Sequence, residues 1–181
     1  MFPRLRKHIA CAIGALMLFP APSHAQEPAL EFAVKATYLY KFAPFITWPP
    51  AANQKSTFEL CLAGNDDVIK LVPEVAAGQE INGRPIVIRR LAENDSIDSC
   101  QILYVANVAF SAPLLDAVRR KAILTVTDSA MPDHGIISFT MIDHHVRFNI
   151  DIGLAAEAGL TVSSKLLSLA NAVTSAQGAA R

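Results

Sequence analysis

Between Phe58 and Ala63 apolar and polar residues alternate as they do along a half-buried strand, and Gly64-Asn65-Asp66 ends the pattern. Asp66 or Asp67 then caps a helix predicted over Val68 to Ala77, with Gly78 as its stop. Ile81-Asn82-Gly83-Arg84 reads as a tight turn, because Asn-Gly supplies the positive φ such turns need. Pro85 opens a second strand, Ile86 to Leu91, and a polar loop, Ala92 to Ser99, leads to a third, Gln101 to Ala106. Pro113 sits in the first turn of a helix running to about Arg120. Ala122 to Val126 and Ile136 to Met141 are the fourth and fifth strands, and the turn Ile142 to His145 returns into a sixth, Val146 to Ile150. That strand puts Val146, Phe148 and Ile150 on one face and Arg147, Asn149 and Asp151 on the other, so one face is wet. Helices are expected over Leu154 to Ala158 and, after a Ser163 cap, over Ser164 to Val173. Residues 176–181 are expected to form a disordered tail.

Ahead of the first strand lies an unusually greasy stretch, Ala36 to Pro49. Ala36, Leu39, Ala43 and Ile46 recur at helical spacing, yet Tyr40, Phe42, Phe45 and Trp48 fall on other faces. Only Lys35, Lys41 and Thr47 interrupt the apolar surface. A helix apolar nearly all round is buried on more than one side. Pro44 lacks the backbone N–H a helix interior uses, so the helix kinks or ends there. Leu39 and Trp48 belong to the core, whereas Tyr38, Lys41 and Phe42 are candidates for a partner or dimer interface.

The resulting order is helix, β-α-β-β-α-β, then a hairpin and closing helices. Strands three and four are almost wholly apolar, as central strands covered on both faces are. The fold class is α/β: a single three-layer α/β/α domain, with a mixed sheet of about six strands, a C-terminal antiparallel hairpin and about five flanking helices.

Composition changes the picture at the N-terminus. Apolar residues make up 52% of the 181, but part of that is a targeting segment. Arg4, Arg6 and Lys7 precede an apolar run from Ile9 to Phe19, then Pro20 and Pro22, then Ser23-His24-Ala25. Residues 1–25 therefore read as a cleaved signal peptide, too short in its apolar part to span a bilayer comfortably. Residues 26–175 are the exported domain, which is not itself membrane-spanning. Removing the leader takes away three basic and no acidic residues, leaving 13 against 16 and a net charge of −3. A mildly acidic domain without a basic stripe is not a nucleic-acid binder.

Two cysteines remain in that domain, Cys61 and Cys100. In an oxidising compartment the even count reads as a disulfide, and the alternative is two buried free thiols. A bridge across this separation is worth about 4 kcal/mol in the chain-entropy model. Catalytic motifs are absent: no G-x-S-x-G, Walker A, H-E-x-x-H or G-x-G-x-x-G. Ser163-Ser164-Lys165 lacks the S-x-x-K spacing, because Val162 stands three before the lysine, and reads as a helix cap. His134, His144 and His145 lie with Asp133 and Asp143 in turns, but neighbouring residues of a strand face opposite ways, so no metal site is expected. Nor is any cofactor. In open α/β sheets ligands lodge at the strands' carboxyl ends, which here carry Asn65, Asp66, Asp128 and Ser129 as candidate ligand-binding residues.

Several segments in order resemble the YfiR-like family of small periplasmic proteins, a domain of unknown function. They are Ala36 to Pro49 (containing Y-x-Y-K-F-x-x-F-x-x-W-P), Cys61-Leu-Ala-Gly64, Ile81-Asn-Gly-Arg84, Cys100-Gln-Ile-Leu-Tyr-Val105 and Ile123-Leu-Thr-Val-Thr-Asp128. Gly135-Ile-Ile-Ser-Phe139, Val146-Arg-Phe-Asn149 and Gly159 to Leu167 continue the series. The resemblance implies a non-enzymatic, periplasmic, usually dimeric α/β domain. It implies a partner too: the periplasmic sensor domain of an inner-membrane diguanylate cyclase, which the regulator represses, with an outer-membrane lipoprotein able to sequester the regulator. Cyclic-di-GMP, biofilm and adhesion would then be downstream outputs. Some members carry a second disulfide in the region of residues 135–142, where this chain has no cysteine. The alternative from the residues alone is a small-ligand-binding periplasmic sensor.

Overall fold

The computed structural model describes residues 26–64, 66–106, 109, 111–128 and 133–175. Helix α1 (Gln26–Lys41) leads into a 3₁₀ turn, Ala43–Phe45, and the two-residue strand β1 (Ile46–Thr47). There follow β2 (Phe58–Ala63), α2 (Asp67–Val75), β3 (Glu80–Ile81), β4 (Arg84–Leu91), β5 (Ile102–Val105) and α3 (Ser111–Val118). The rest is β6 (Leu124–Asp128), β7 (Ile137–Ile142), β8 (His145–Asp151), α4 (Ile152–Glu157), β9 (Thr161–Val162), α5 (Ser164–Leu167) and β10 (Ala172–Thr174). The class is α/β, but the main sheet has eight strands rather than about six, in the order β10-β8-β7-β6-β5-β2-β4-β3, and β1 pairs with β9 in a separate ribbon. Strands β4, β2, β5, β6 and β7 run parallel, and β8 turns back antiparallel to β7. Taken alone the five parallel strands have the doubly wound order 2-1-3-4-5, whose direction of winding reverses between β2 and β5.

One face of the sheet carries Phe58, Leu60, Leu62, Tyr104, Val126, Phe139 and Ile150 and is covered by α1 and α2 in one continuous core. The opposite face holds Cys61, Ala63, Leu103 and Val105 under Ile97, Val118 and Ile123. Cys61 and Cys100 are joined there by a disulfide with Cα atoms 5.7 Å apart, both nearly sealed from water. The Asn-Gly turn takes the expected left-handed conformation, φ 52° at Asn82 and 74° at Gly83. Asp143 and His144 do the same between β7 and β8.

Two expectations need correcting. The first helix begins ahead of the greasy stretch, at Gln26; it ends at Lys41, as Pro44 led one to expect, and Pro44 falls in the 3₁₀ turn, where its missing N–H costs nothing. The last helix ends at Leu167, not Val173. The Asn171 N–H donates to the Phe148 carbonyl at 2.8 Å, and Ala172–Thr174 then pair in parallel with Asn149–Asp151. The open edge of β8 has drawn those residues into a strand although their apolar spacing suits a helix. The predicted second helix is present as α2 with Pro73 inside it, where the proline leaves the Ile69 carbonyl without its helical donor, and the Arg90 guanidinium reaches that oxygen at 3.3 Å. The expected signal peptide and the tail from residue 176 lie outside the described residues.

Candidate functional site

Two places combine chemistry with a position that the fold sets. The first is the carboxyl end of the parallel strands. Asp66 follows β2 and opens α2: its Oδ1 accepts the Ile69 N–H at 2.7 Å, as an N-cap does. Its Oδ2 accepts the Tyr104 hydroxyl at 2.8 Å. Tyr104 lies beside Leu62 in the pairing of β5 with β2, so this bond spans the switch point itself. Desolvation, reinforced by the charge and hydrogen bond of Asp66, pushes the Tyr104 phenol far above its ordinary pKa. Two strands along, Asp128 at the end of β6 meets Lys35 of α1, with Nζ 2.5 Å from Oδ2, and the same ammonium lies 2.6 Å from Glu31 Oε1. Lys35 is only 3% exposed. Burial works against its charge, but the two carboxylates outweigh that and hold its pKa above the usual lysine value.

Of the four residues expected to bind a ligand, Asp66 and Asp128 thus have acceptor oxygens engaged by the chain's own groups, while Asn65 and Ser129 lie outside the described residues. The crevice that an open sheet of this order offers to ligands is laced across by Tyr104–Asp66 and overlaid by α1. Lys35 and Tyr104 were not singled out by sequence reasoning. A signal for the lysine existed in Glu31 four residues before it, but Asp128 is 93 residues away.

The second place is a groove of about 320 Å³ between α1 and β8, closed on its far side by the α5 region. Tyr38, Lys41 and Phe42, the three expected interface residues, all line it. Phe42 is 3% exposed and forms the floor, its ring 5.1 Å from Phe148 and 6.0 Å from Phe139. Tyr38 is half-buried, edge-on to Phe148 at 6.2 Å. Leu169, 59% exposed, forms the lip, and Lys41 and Arg147 stand at the rim. Lys165 lies close by, 5.8 Å from the Phe45 ring. None of these three cations has an ion-pair partner among the described residues, and no carboxylate lines the groove. Leu39 and Trp48 are core residues, the latter edge-on to Phe58 at 5.6 Å.

The remaining motifs resolve more simply. Ser163 Oγ accepts the Leu166 N–H at 3.3 Å, so Ser163-Ser164-Lys165 is a helix start. His134 Nε2 lies 3.6 Å from Asp151 Oδ2, whose other oxygen caps α4. Among the described residues no three His, Cys, Asp or Glu side chains come together to hold a metal. No helix among them is long and apolar enough to cross a membrane.

No curated protein matches this chain. A family model does: the one described as YfiR/HmsC-like matches residues 32–171, from within α1 to the residue before β10. The match takes in the disulfide, the laced strand ends and the groove alike. The chain belongs to the YfiR/HmsC-like family.

Proposed function

We propose that the protein is a non-catalytic periplasmic regulator that binds the periplasmic sensor domain of an inner-membrane diguanylate cyclase and represses it, lowering cyclic-di-GMP. The observation that carries this reading is the family match across the folded domain. The groove supports it, because an aromatic floor, an exposed leucine and unpaired cations form a surface made for a protein rather than for a reaction. Residues 1–25 act as the export signal, and the Cys61–Cys100 bond suits an oxidising compartment. An outer-membrane lipoprotein is the competing partner that would withdraw the regulator, and homodimerisation would use another surface than the groove. The small-ligand alternative finds less support, since the strand-end acceptors are used internally. The test is deletion of the gene with measurement of cellular cyclic-di-GMP. The level should rise in the deletion strain and fall back on complementation, and an unchanged level overturns the reading.

A further inference from the structure

We propose that the groove between α1 and β8 takes a segment of a partner protein that carries a bulky apolar side chain flanked by carboxylates. This rests on the partner-binding reading above and adds the chemistry of the occupant. The floor is apolar and already ordered: Phe42 and Phe148 are held ring to ring and against Phe139, so an inserted side chain meets a preformed surface. Its volume of about 320 Å³ is at the small end of the range for ligand sites, suited to an anchoring side chain rather than a cofactor. Leu169 is exposed beside that floor and gains most from being covered.

Charge decides the rest. Lys41 and Arg147 flank the opening and Lys165 stands beside it, in a domain whose net charge after loss of the leader is −3. A local cationic rim on an acidic protein selects an anionic partner and steers its approach. It also argues against a second copy of this chain as the occupant. A two-fold contact sets the same patch against itself, so an axis through the groove would bring Lys41, Arg147 and Lys165 up to their own images. Nor do residues 176–181 fit, because Ala-Gln-Gly-Ala-Ala-Arg has a cationic side chain, no acidic side chain and no bulky apolar one.

The experiment uses the mature protein and three fluorescein-labelled hexapeptides: DEFLED, its charge-inverted counterpart KKFLKK, and DEGSED, which keeps the carboxylates and lacks the anchor. Binding is read by fluorescence polarisation and located by amide chemical-shift changes. DEFLED should bind at least about tenfold more tightly than either control, a difference of about 1.4 kcal/mol, and should weaken as salt is raised. Its shift changes should centre on Lys41, Arg147 and Leu169. The double variant Lys41→Glu/Arg147→Glu, whose two side chains are exposed, should reverse the order of DEFLED and KKFLKK. Equal binding of the two charged peptides, binding of DEGSED as tight as DEFLED, or shifts centred elsewhere overturns the proposal. Sharpening of self-association by the variant instead of loss of peptide would assign the groove to a second copy and overturn it too. The cellular experiment separates the two levels. If deletion changes cyclic-di-GMP and the double variant still restores it, the regulatory reading stands and the groove proposal fails. If peptides bind as expected but deletion changes nothing, the groove stands and the regulatory reading fails.

Discussion

Replacing Lys35 with Met removes the ammonium that ties α1 to the end of β6 while keeping most of its aliphatic volume. Two carboxylates lie 2.5 and 2.6 Å from Nζ. At an effective dielectric constant near 20 each attraction amounts to about 6 kcal/mol, most of it offset by the cost of taking the charges out of water. Breaking a fully buried pair costs about 3–5 kcal/mol because a charge is left unpaired. Here the side chains of Glu31 and Asp128 remain 26% exposed and can be rehydrated, so the expected loss is about 2–3 kcal/mol. Urea unfolding of the oxidised mature protein would measure it. Glu31→Gln, which removes the local partner on the same helix and leaves Asp128 in place, should cost under about 1 kcal/mol. The pH dependence provides an independent check. The folded-state pKa of Lys35 lies above the ordinary lysine value of 10.5, so its contribution is complete below that pH and is lost as pH rises through the folded value. The gap between wild type and Lys35→Met should therefore stay constant to about pH 10.5 and narrow above it. A loss below about 1 kcal/mol, or a gap unaffected by alkali, would show that the cluster behaves as a surface pair and that α1 is not held by it.

Three further outcomes follow from the same structure. Tyr104→Phe should cost about 1–2 kcal/mol in urea unfolding, since it leaves Asp66 Oδ2 without its donor. It should also remove part of the alkaline instability, because the raised phenol pKa favours folding below pH 10 and that advantage disappears above it. Reduction, or Cys61→Ala with Cys100→Ala, should lower stability by about 4 kcal/mol, seen as a fall in urea midpoint on adding dithiothreitol to wild type but not to the double variant. Gly135→Ala should cost about 1–3 kcal/mol, because its new Cβ would lie 2.8 Å from the Thr125 carbonyl oxygen, at the point where Thr125 and Thr127 hydroxyls accept the Ile136 and Gly135 N–H groups; an unchanged melting temperature would refute it.

Local pattern carried much of the fold. Alternation along Val146–Ile150 marked the strand and its wet face, Asp66 marked a helix start, and Asn82-Gly83 marked a turn, because each depends on neighbours in sequence. What stayed hidden depends on distant chain. Residues 172–174 have helix-compatible spacing and become β10 only because β8 presents an unpaired edge. The two-residue strands β1 and β9 are too short to show any period. Lys35 looked like one of three polar interruptions of a greasy stretch until Asp128 was brought beside it by the sheet. Candidate residues divided in the same way. Tyr38, Lys41 and Phe42 came together because they share one helix end, although Phe42 is floor rather than exposed surface. Asp66 and Asp128, in the right place for a ligand, turned out to be joined to Tyr104 and Lys35, a use that no spacing announces.

The most direct measurement is calorimetric titration of the mature protein into the purified periplasmic sensor domain of the diguanylate cyclase encoded nearest its gene. Saturable binding that weakens with salt and is lost in Lys41→Glu/Arg147→Glu is the predicted result. Absence of heat with the wild-type protein, or binding that the double variant retains in full, would contradict it.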